Sequence, residues 1–285
     1  MATHPVGGEA QGAAGAAADE ARESGKDRQF VTALARGVMI LQCFSVNRPE
    51  LSGSQIAKIT GLPQPTVWRL CHTLLELGML TMVANERMRP GLAVLRLGYS
   101  ALSGMSVIDL ARPYMQELAS KYGAACGIGV RDGLDMVFVE RCEGQNQLLM
   151  NLRVGSTVPL ATSALGWAFI AGHGPDGRAR ILNELTAQDE ARFSTARACL
   201  EEALLDYGRT GFVLNIGVYH KAYNTVAVPL VMPDGTVPYV LNCGAPAASL
   251  STSVLETQIA PQLANLARSL QKSLGPQADP PCGSR

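Results

Sequence analysis

The chain has no Cys-x-x-Cys pair and no cluster of cysteine with histidine. Its seven cysteines, at 43, 71, 126, 142, 199, 243 and 282, are scattered singly. The four histidines, at 4, 72, 173 and 220, show no metal-ligand spacing. These absences exclude a structural zinc site, and an odd, dispersed set of thiols points to a reducing compartment. No apolar run reaches membrane-spanning length, and the N-terminus lacks the cationic start and apolar core of a signal peptide. The expectation is a soluble, cytoplasmic protein without membrane contact.

Catalytic signatures are missing as well. There is no Gly-rich phosphate loop and no Gly-x-Ser-x-Gly. Asp109, Asp135, Glu140 and Glu143 are carboxylates, and Cys126 and Cys243 are potential nucleophiles, but no motif sets a base beside either thiol. No catalytic residue, metal ligand or cofactor is assigned, and an enzyme is not expected.

Net charge is zero, yet its distribution is uneven. From Lys26 to Arg96 there are nine basic residues (26, 28, 36, 48, 58, 69, 87, 89, 96) against four acids (27, 50, 76, 86). A basic segment on a mildly acidic body suits a DNA-binding module joined to a part that does not bind DNA. The apolar share of 47% in 285 residues supports two compact domains.

What the chain does carry is clearest at residues 51–75. Ile56, Ala57 and Ile59 give a short helix an apolar face, and Thr60-Gly61-Leu62-Pro63 breaks it. Pro65 stands where a second helix begins, and Val67, Leu70, Leu74 and Leu75 recur at helical spacing. A small Ala57 four residues before the turn glycine lets two helices cross closely. This is helix-turn-helix spacing, whose second helix enters the DNA major groove; the competing reading is an ordinary helical hairpin. On that second helix Gln64, Thr66, Val67 and Arg69 are the DNA-contact candidates. Gln suits adenine, Arg guanine, and Thr a phosphate or a thymine methyl. Ser54 and Gln55 are candidates for a phosphate contact from the preceding helix. Trp68 either touches DNA sugars or packs on the first helix.

Val31, Leu34, Val38, Leu41 and Phe44 predict an earlier helix packed under this pair. Residues 79–83 read as a strand and 85–91 as a polar turn, with Arg87 and Arg89 as phosphate contacts on a wing. Arg89-Pro90-Gly91 stops the return strand early, which leaves a plain exposed loop as the alternative. The domains expected are a flexible arm at 1–27, the winged helix-turn-helix at 28–91, a linker helix at 92–105, a second domain at 106–274 and a tail at 275–285. Linker helices of this kind pair chains, and operator symmetry calls for a homodimer or tetramer.

In the second domain a helix is expected at 107–122 and strands at 124–130, 136–141 and 148–152. A helix beginning after Thr162-Ser163 is followed by two more, around 177–185 and 198–208. Strands return at 225–231 and 237–243, and an amphipathic helix closes the domain at 251–274. Helices at both ends of a mainly antiparallel sheet make an α+β sensor-like domain.

Several stretches occur here in one order and spacing: Thr66-Val67-x-Arg69-Leu70, Leu97-Gly98, and Leu152-Arg-Val-Gly-Ser-Thr-Val-Pro-Leu160 with Ala164-x-Gly166. Gly211-Phe212 and Val226-Ala-Val-Pro229 follow. On these the chain resembles the IclR-type bacterial transcriptional regulators, over roughly Phe30 to Leu274. The resemblance implies a winged-helix N-terminal domain and a C-terminal effector-binding domain with a GAF-like fold. It also implies dimers or tetramers on double-stranded operator DNA, controlling catabolic operons in response to small organic acids. Two stretches depart from the family's pattern. Ile216-Gly217-Val218-Tyr219-His220 replaces a common Glu pair, and Asn242-Cys243-Gly244 replaces a common Ser-x-Ser. Both fall where similar proteins line the ligand cavity.

The effector candidates are Thr162, Ser163, Asn215, Tyr219, His220, Thr225 and Asn242. Thr162 and Ser163 at a helix start offer hydroxyls, free amides and the positive dipole end to a carboxylate, or simply cap the helix. Asn215, Thr225 and Asn242 are polar residues in or beside apolar strands, and need either a ligand or backbone partners. Tyr219 and His220 supply donors to an anion, or else sit in a surface loop. Cys243 alternates with Asn242 and is expected in the core. A second functional reading remains open: a small-molecule sensor whose helical N-terminal domain serves assembly.

Overall fold

The computed structural model describes residues 29–144 and 150–275. The expected arm at 1–27 and the tail after Gly275 lie outside the described residues. Two compact units meet between Tyr99 and Ser100, inside the expected linker segment.

The first unit runs α1 (Thr32–Gln42), β1 (Leu51–Ser52), α2 (Gly53–Thr60), α3 (Gln64–Glu76), β2 (Leu80–Val83) and β3 (Arg87–Pro90). Helix α4 (Leu92–Ser103) follows. Local chemistry sets the helix ends. The Ser52 hydroxyl accepts from Gln55 N–H at 3.3 Å, and the Gln55 side chain accepts from Ser52 N–H at 2.9 Å. This reciprocal capping box starts α2. Gly61 ends it at φ 70°, a left-handed turn that a side chain would strain. Ile40, Cys43, Leu51, Ile56, Val67, Cys71, Leu74, Leu80 and Met88 form the core of the unit. Burying one such aliphatic side chain stabilises the fold by about 1.5–3 kcal/mol.

Helix α1 departs from expectation. It packs through its C-terminal end, at Ile40 and Cys43 with Leu41 and Phe44 beside them. Val31, Leu34 and Val38 are exposed. The wing strands do form. β3 pairs antiparallel with both β1 and β2, in the order β1-β3-β2. Asn85 and Glu86 take positive φ in the connecting turn, and Arg87 N–H closes it on the Ala84 carbonyl at 3.4 Å. Pro90 is tolerated because it is the last residue of its strand.

The second unit contains α5 (Ser106–Tyr122), β4 (Ala125–Asp132), β5 (Asp135–Glu143), β6 (Thr157–Pro159), α6 (Ala164–Gly172) and α7 (Pro175–Thr210). β7 (Val213–Ile216), β8 (Tyr223–Leu230), β9 (Tyr239–Pro246) and α8 (Ala260–Leu274) complete it, with a π-helical stretch, Leu255–Ile259, leading into α8. The six strands form one antiparallel sheet in the order β6-β5-β4-β9-β8-β7. One face packs on α5 and α8, with Met115, Ile128, Leu241, Cys243 and Leu263 in that core. The other packs on α6 and α7 through Phe138, Leu165, Trp167, Leu185 and Leu200.

Helix α7 replaces the two separate helices expected around 177–185 and 198–208. Residues 186–197 contain neither proline nor glycine, so nothing breaks the helix. Leu185, Phe193, Ala196 and Leu200 are buried along its length. The expected strand at 148–152 is not found. Residues 148 and 149 lie outside the described residues, and Met150 to Leu152 are not in a strand. β6 and β7, each only three or four residues long, were not expected.

One irregularity matters for the site. In the β4–β5 ladder Ile128 faces Glu140 while Gly129 faces Phe138, so Val139 is an extra residue. Such a bulge shifts the alternation of side chains by one. Phe138 points to the α6–α7 side, Val139 and Cys142 to the α5–α8 side. Arg141, between Glu140 and Cys142, is thereby turned toward α6.

Candidate functional site

On α3, Gln64, Trp68, Arg69 and His72 are exposed and Thr66 is half-buried. Trp68 is 68% exposed, its ring stacked on His72 at 5.8 Å; it does not pack on α1. Val67 is fully buried in the core. It supports α3 from beneath and does not face DNA, a correction to the contact set expected from sequence. On α2, Ser54 and Gln55 are exposed. Ser54 Oγ lies 2.9 Å from Ser52 Oγ, and Gln55 is engaged in the capping box.

The two wing arginines differ. Arg89 is exposed on β3. Arg87 is half-buried and donates through Nη2 to the Glu50 carbonyl at 2.6 Å. The structure thus uses Arg87 to tie the wing to the residue before β1, where sequence reasoning expected a phosphate contact.

In the second unit five of the seven effector candidates line one small cavity of about 30 Å³, partly open to solvent: Ser163, Asn215, Tyr219, Thr225 and Asn242. They come from the start of α6, from β7 and the segment after it, and from β8 and β9. Phe138, Leu152, Val158 and Leu165 supply apolar walls. Thr162 and His220 are not among the lining residues. Thr162 accepts through its carbonyl from Asn215 Nδ2 at 2.8 Å. His220 is exposed, and its Nδ1 accepts from Ala222 N–H at 3.4 Å.

Ser163 is the residue that caps α6, accepting from Gly166 N–H at 3.1 Å. Gly166 is required there because a Cβ would meet the Leu160 carbonyl oxygen at 2.1 Å. Asn215 is engaged at both ends of its amide: besides donating to Thr162, its Oδ1 accepts from Tyr219 N–H at 3.0 Å. It fixes the start of α6 to the segment after β7. Burial pushes the Tyr219 phenol up, and Asp135 adds to the effect.

Sequence reasoning missed Arg141 and Tyr223, which line the same cavity. The Arg141 side chain is 5% exposed; its Nε donates to Glu143 at 3.1 Å, and its guanidinium lies over the Phe138 ring at 5.3 Å. Its Nη2 is buried and has no hydrogen-bond partner among the described residues; the same holds for Asn242 Oδ1. Tyr223 donates to the Gly244 carbonyl at 2.8 Å. Burial pushes its phenol up to about 12 against the lowering influence of Arg141. The signal for Arg141 was present as a lone arginine ending a β-rich run. Strict alternation from Phe138 assigns it to the opposite face.

A helix-turn-helix with a small antiparallel sheet, followed by a sheet unit holding a polar cavity, is the architecture of a two-domain helix-turn-helix transcription factor. The comparisons with known proteins narrow this. Residues 33–83 match the IclR helix-turn-helix domain. Residues 99–272 match the bacterial transcriptional regulator IclR C-terminal domain. The HTH-type transcriptional regulator TsaQ1/TsaQ2 of Comamonas testosteroni is 32% identical over 260 residues, 90% of this chain and 92% of that one. The Pca regulon regulatory protein of Pseudomonas putida is 26% identical, over 86% of this chain and 84% of that one. The crystal structure of an IclR family transcriptional regulator from Brucella abortus has a TM-score of 0.74 and 40% identity, covering 87% of this chain and 94% of that one. The chain belongs to the IclR family of bacterial transcriptional regulators. Among the described residues no helix is long and apolar enough to cross a membrane.

Proposed function

We propose that the chain is a ligand-responsive regulator of a catabolic operon, with a small organic acid as effector and no catalytic activity of its own. The exposed face of α3, with Gln64, Thr66 and Arg69, reads operator DNA in the major groove, and Arg89 holds the phosphate backbone from the wing. Ser54 and Gln55 add contacts from α2. The observation that carries the effector reading is the convergence of Ser163, Asn215, Tyr219, Thr225 and Asn242 on one cavity, from the start of α6, the β7–β8 hairpin and β9.

The regulator works as a dimer or a tetramer. Phe30, Val31, Leu34 and Val38 near α1 and Leu92, Leu95, Leu97 and Tyr99 on α4 are all exposed in the single chain. Apolar rows of that length are normally covered by a partner copy. An effector shifts DNA occupancy only by binding one arrangement of the dimer better than another. Fluorescence anisotropy of a labelled duplex from upstream of the gene tests the whole reading. Aromatic and short aliphatic acids that raise the melting temperature should also change duplex affinity. Acids that stabilise the protein without any change in DNA affinity would reduce it to a sensor whose N-terminal unit serves another purpose.

A further inference from the structure

The six-stranded sheet has two edges, and they are finished differently. β6 is three residues long and ends in Pro159, which has no N–H to offer a further strand. β7 is Val213-Leu-Asn-Ile216, with no proline and no charge. Its hydrogen-bonding phase follows from one bond just beyond it, from Gly217 N–H to the Tyr223 carbonyl at 3.2 Å. Counting back, Asn215 and Val213 are the residues that bond to Thr225 and Ala227 of β8. Leu214 and Ile216 therefore aim their N–H and C=O groups away from the sheet. Neither has a backbone partner on that side among the described residues.

Leu214 and Ile216 also line a groove of about 510 Å³, open to solvent, with Ala203 of α7 and Phe212 as further apolar walls. Glu202 of α7 and Glu256 of the π-helical stretch stand on it. Both are exposed, and neither is in an ion pair among the described residues. Asp206 and Arg209, which line it too, pair with each other. An open sheet edge, apolar walls and two uncompensated carboxylates thus meet in one place.

We infer that β7 is a docking strand, and that its partner is an extended basic segment of another protein, with lysine or arginine alternating with aliphatic residues. The segment adds a further strand: its main chain takes up the open groups of Leu214 and Ile216, and its cations reach Glu202 and Glu256. Its aliphatic side chains lie on Ala203 and Phe212. Charge selects against self-pairing, since β7 against β7 would bring Glu202 and Glu256 of both copies to one seam. The inference is independent of the effector reading.

The test is fluorescence anisotropy of full-length protein with fluorescein-labelled Lys-Val-Lys-Val-Lys-Val. It should bind at least about tenfold tighter than Glu-Val-Glu-Val-Glu-Val. Methylating every amide nitrogen of the basic peptide keeps its charges and side chains but removes its donors, and should weaken it by about tenfold or more. Glu202→Gln/Glu256→Gln should weaken binding by about three- to tenfold, an effect that fades as salt rises. Glu201→Gln, whose carboxylate pairs with Arg197 instead, should bind as wild type does. No binding of the basic peptide to wild type overturns the proposal, as does equal binding of its methylated form, whether or not the variants fold. Equal binding by wild type and a folded Glu202→Gln/Glu256→Gln overturns it as well. Peptide binding that splits the native assembly, seen by light scattering, overturns it in favour of a second copy on the edge.

Discussion

Arg87 Nη2 donates to the backbone carbonyl of Glu50 at 2.6 Å, so one of the two wing arginines is engaged inside its own unit. Its neighbour on the same face of β3, Arg89, is exposed. The pair therefore differs in what each side chain is free to do: Arg87 is tied to its own unit, and Arg89 faces solvent. Arg87→Ala should cost about 1.5–3 kcal/mol of stability, the range for a hydrogen bond made by a charged group. The DNA affinity of its folded fraction should stay near wild type. Arg89→Ala should leave the melting temperature unchanged and reduce the salt dependence of DNA binding by about one counterion. Denaturation curves and salt titrations of the two variants check both halves.

His173 predicts a pH dependence. Burial pulls its imidazole below the ordinary value of 6.5, and Arg131, Arg180 and Arg178 pull the same way, against a hydrogen bond to the Phe169 carbonyl. The folded protein thus prefers the neutral ring, and the unfolded chain takes up the proton first. The contribution to stability is full above pH 6.5 and is lost as the pH falls through the lowered folded value. Urea denaturation at about pH 7.5 and 5.5 should show wild type losing more stability on acidification than His173→Gln. An equal loss in both would contradict the assignment.

Gly166 fixes how closely α6 approaches the segment before it. A Cβ there would meet the Leu160 carbonyl oxygen at 2.1 Å and Leu160 Cα at 2.5 Å. Gly166→Ala should destabilise the second unit by about 1–3 kcal/mol, as overpacking of a dense interior does. It should also weaken effector binding, since the start of α6 forms a cavity wall. Gly133→Ala is the control, because a Cβ there meets nothing within 4 Å and only its positive φ is strained. It should affect stability modestly and ligand binding not at all.

The DNA-binding unit was legible in the sequence because its information is local. The turn at Gly61 and the spacing of Ile56, Val67 and Leu74 each act within a few residues. What local pattern could not give was which side of a helix ends up covered. Val67 carries helical spacing like any core position and is one, while Val31 and Leu34 share that spacing and remain exposed. The cavity was legible only as a set of polar residues in apolar strands. Asn215, Thr225 and Asn242 were recognisable as misfits, but their meeting depends on sheet order, with β9 between β4 and β8. Arg141 was hidden for a sharper reason: a single extra residue in β5 moves it across the sheet, and alternation in sequence carries no mark of the bulge. The length of α7 follows from an absence, since no breaker interrupts 186–197.

Arg69 projects from the exposed face of α3 and takes no part in the core of its unit. Fluorescence anisotropy of wild type and Arg69→Ala on a labelled duplex from upstream of the gene tests the proposed DNA reading by α3 most directly. The loss of a base contact should weaken binding by about 1–3 kcal/mol, roughly five- to more than a hundredfold, with melting temperature and acid binding unchanged. Wild-type affinity in Arg69→Ala, measured on that duplex at the same salt, would contradict the recognition-helix assignment.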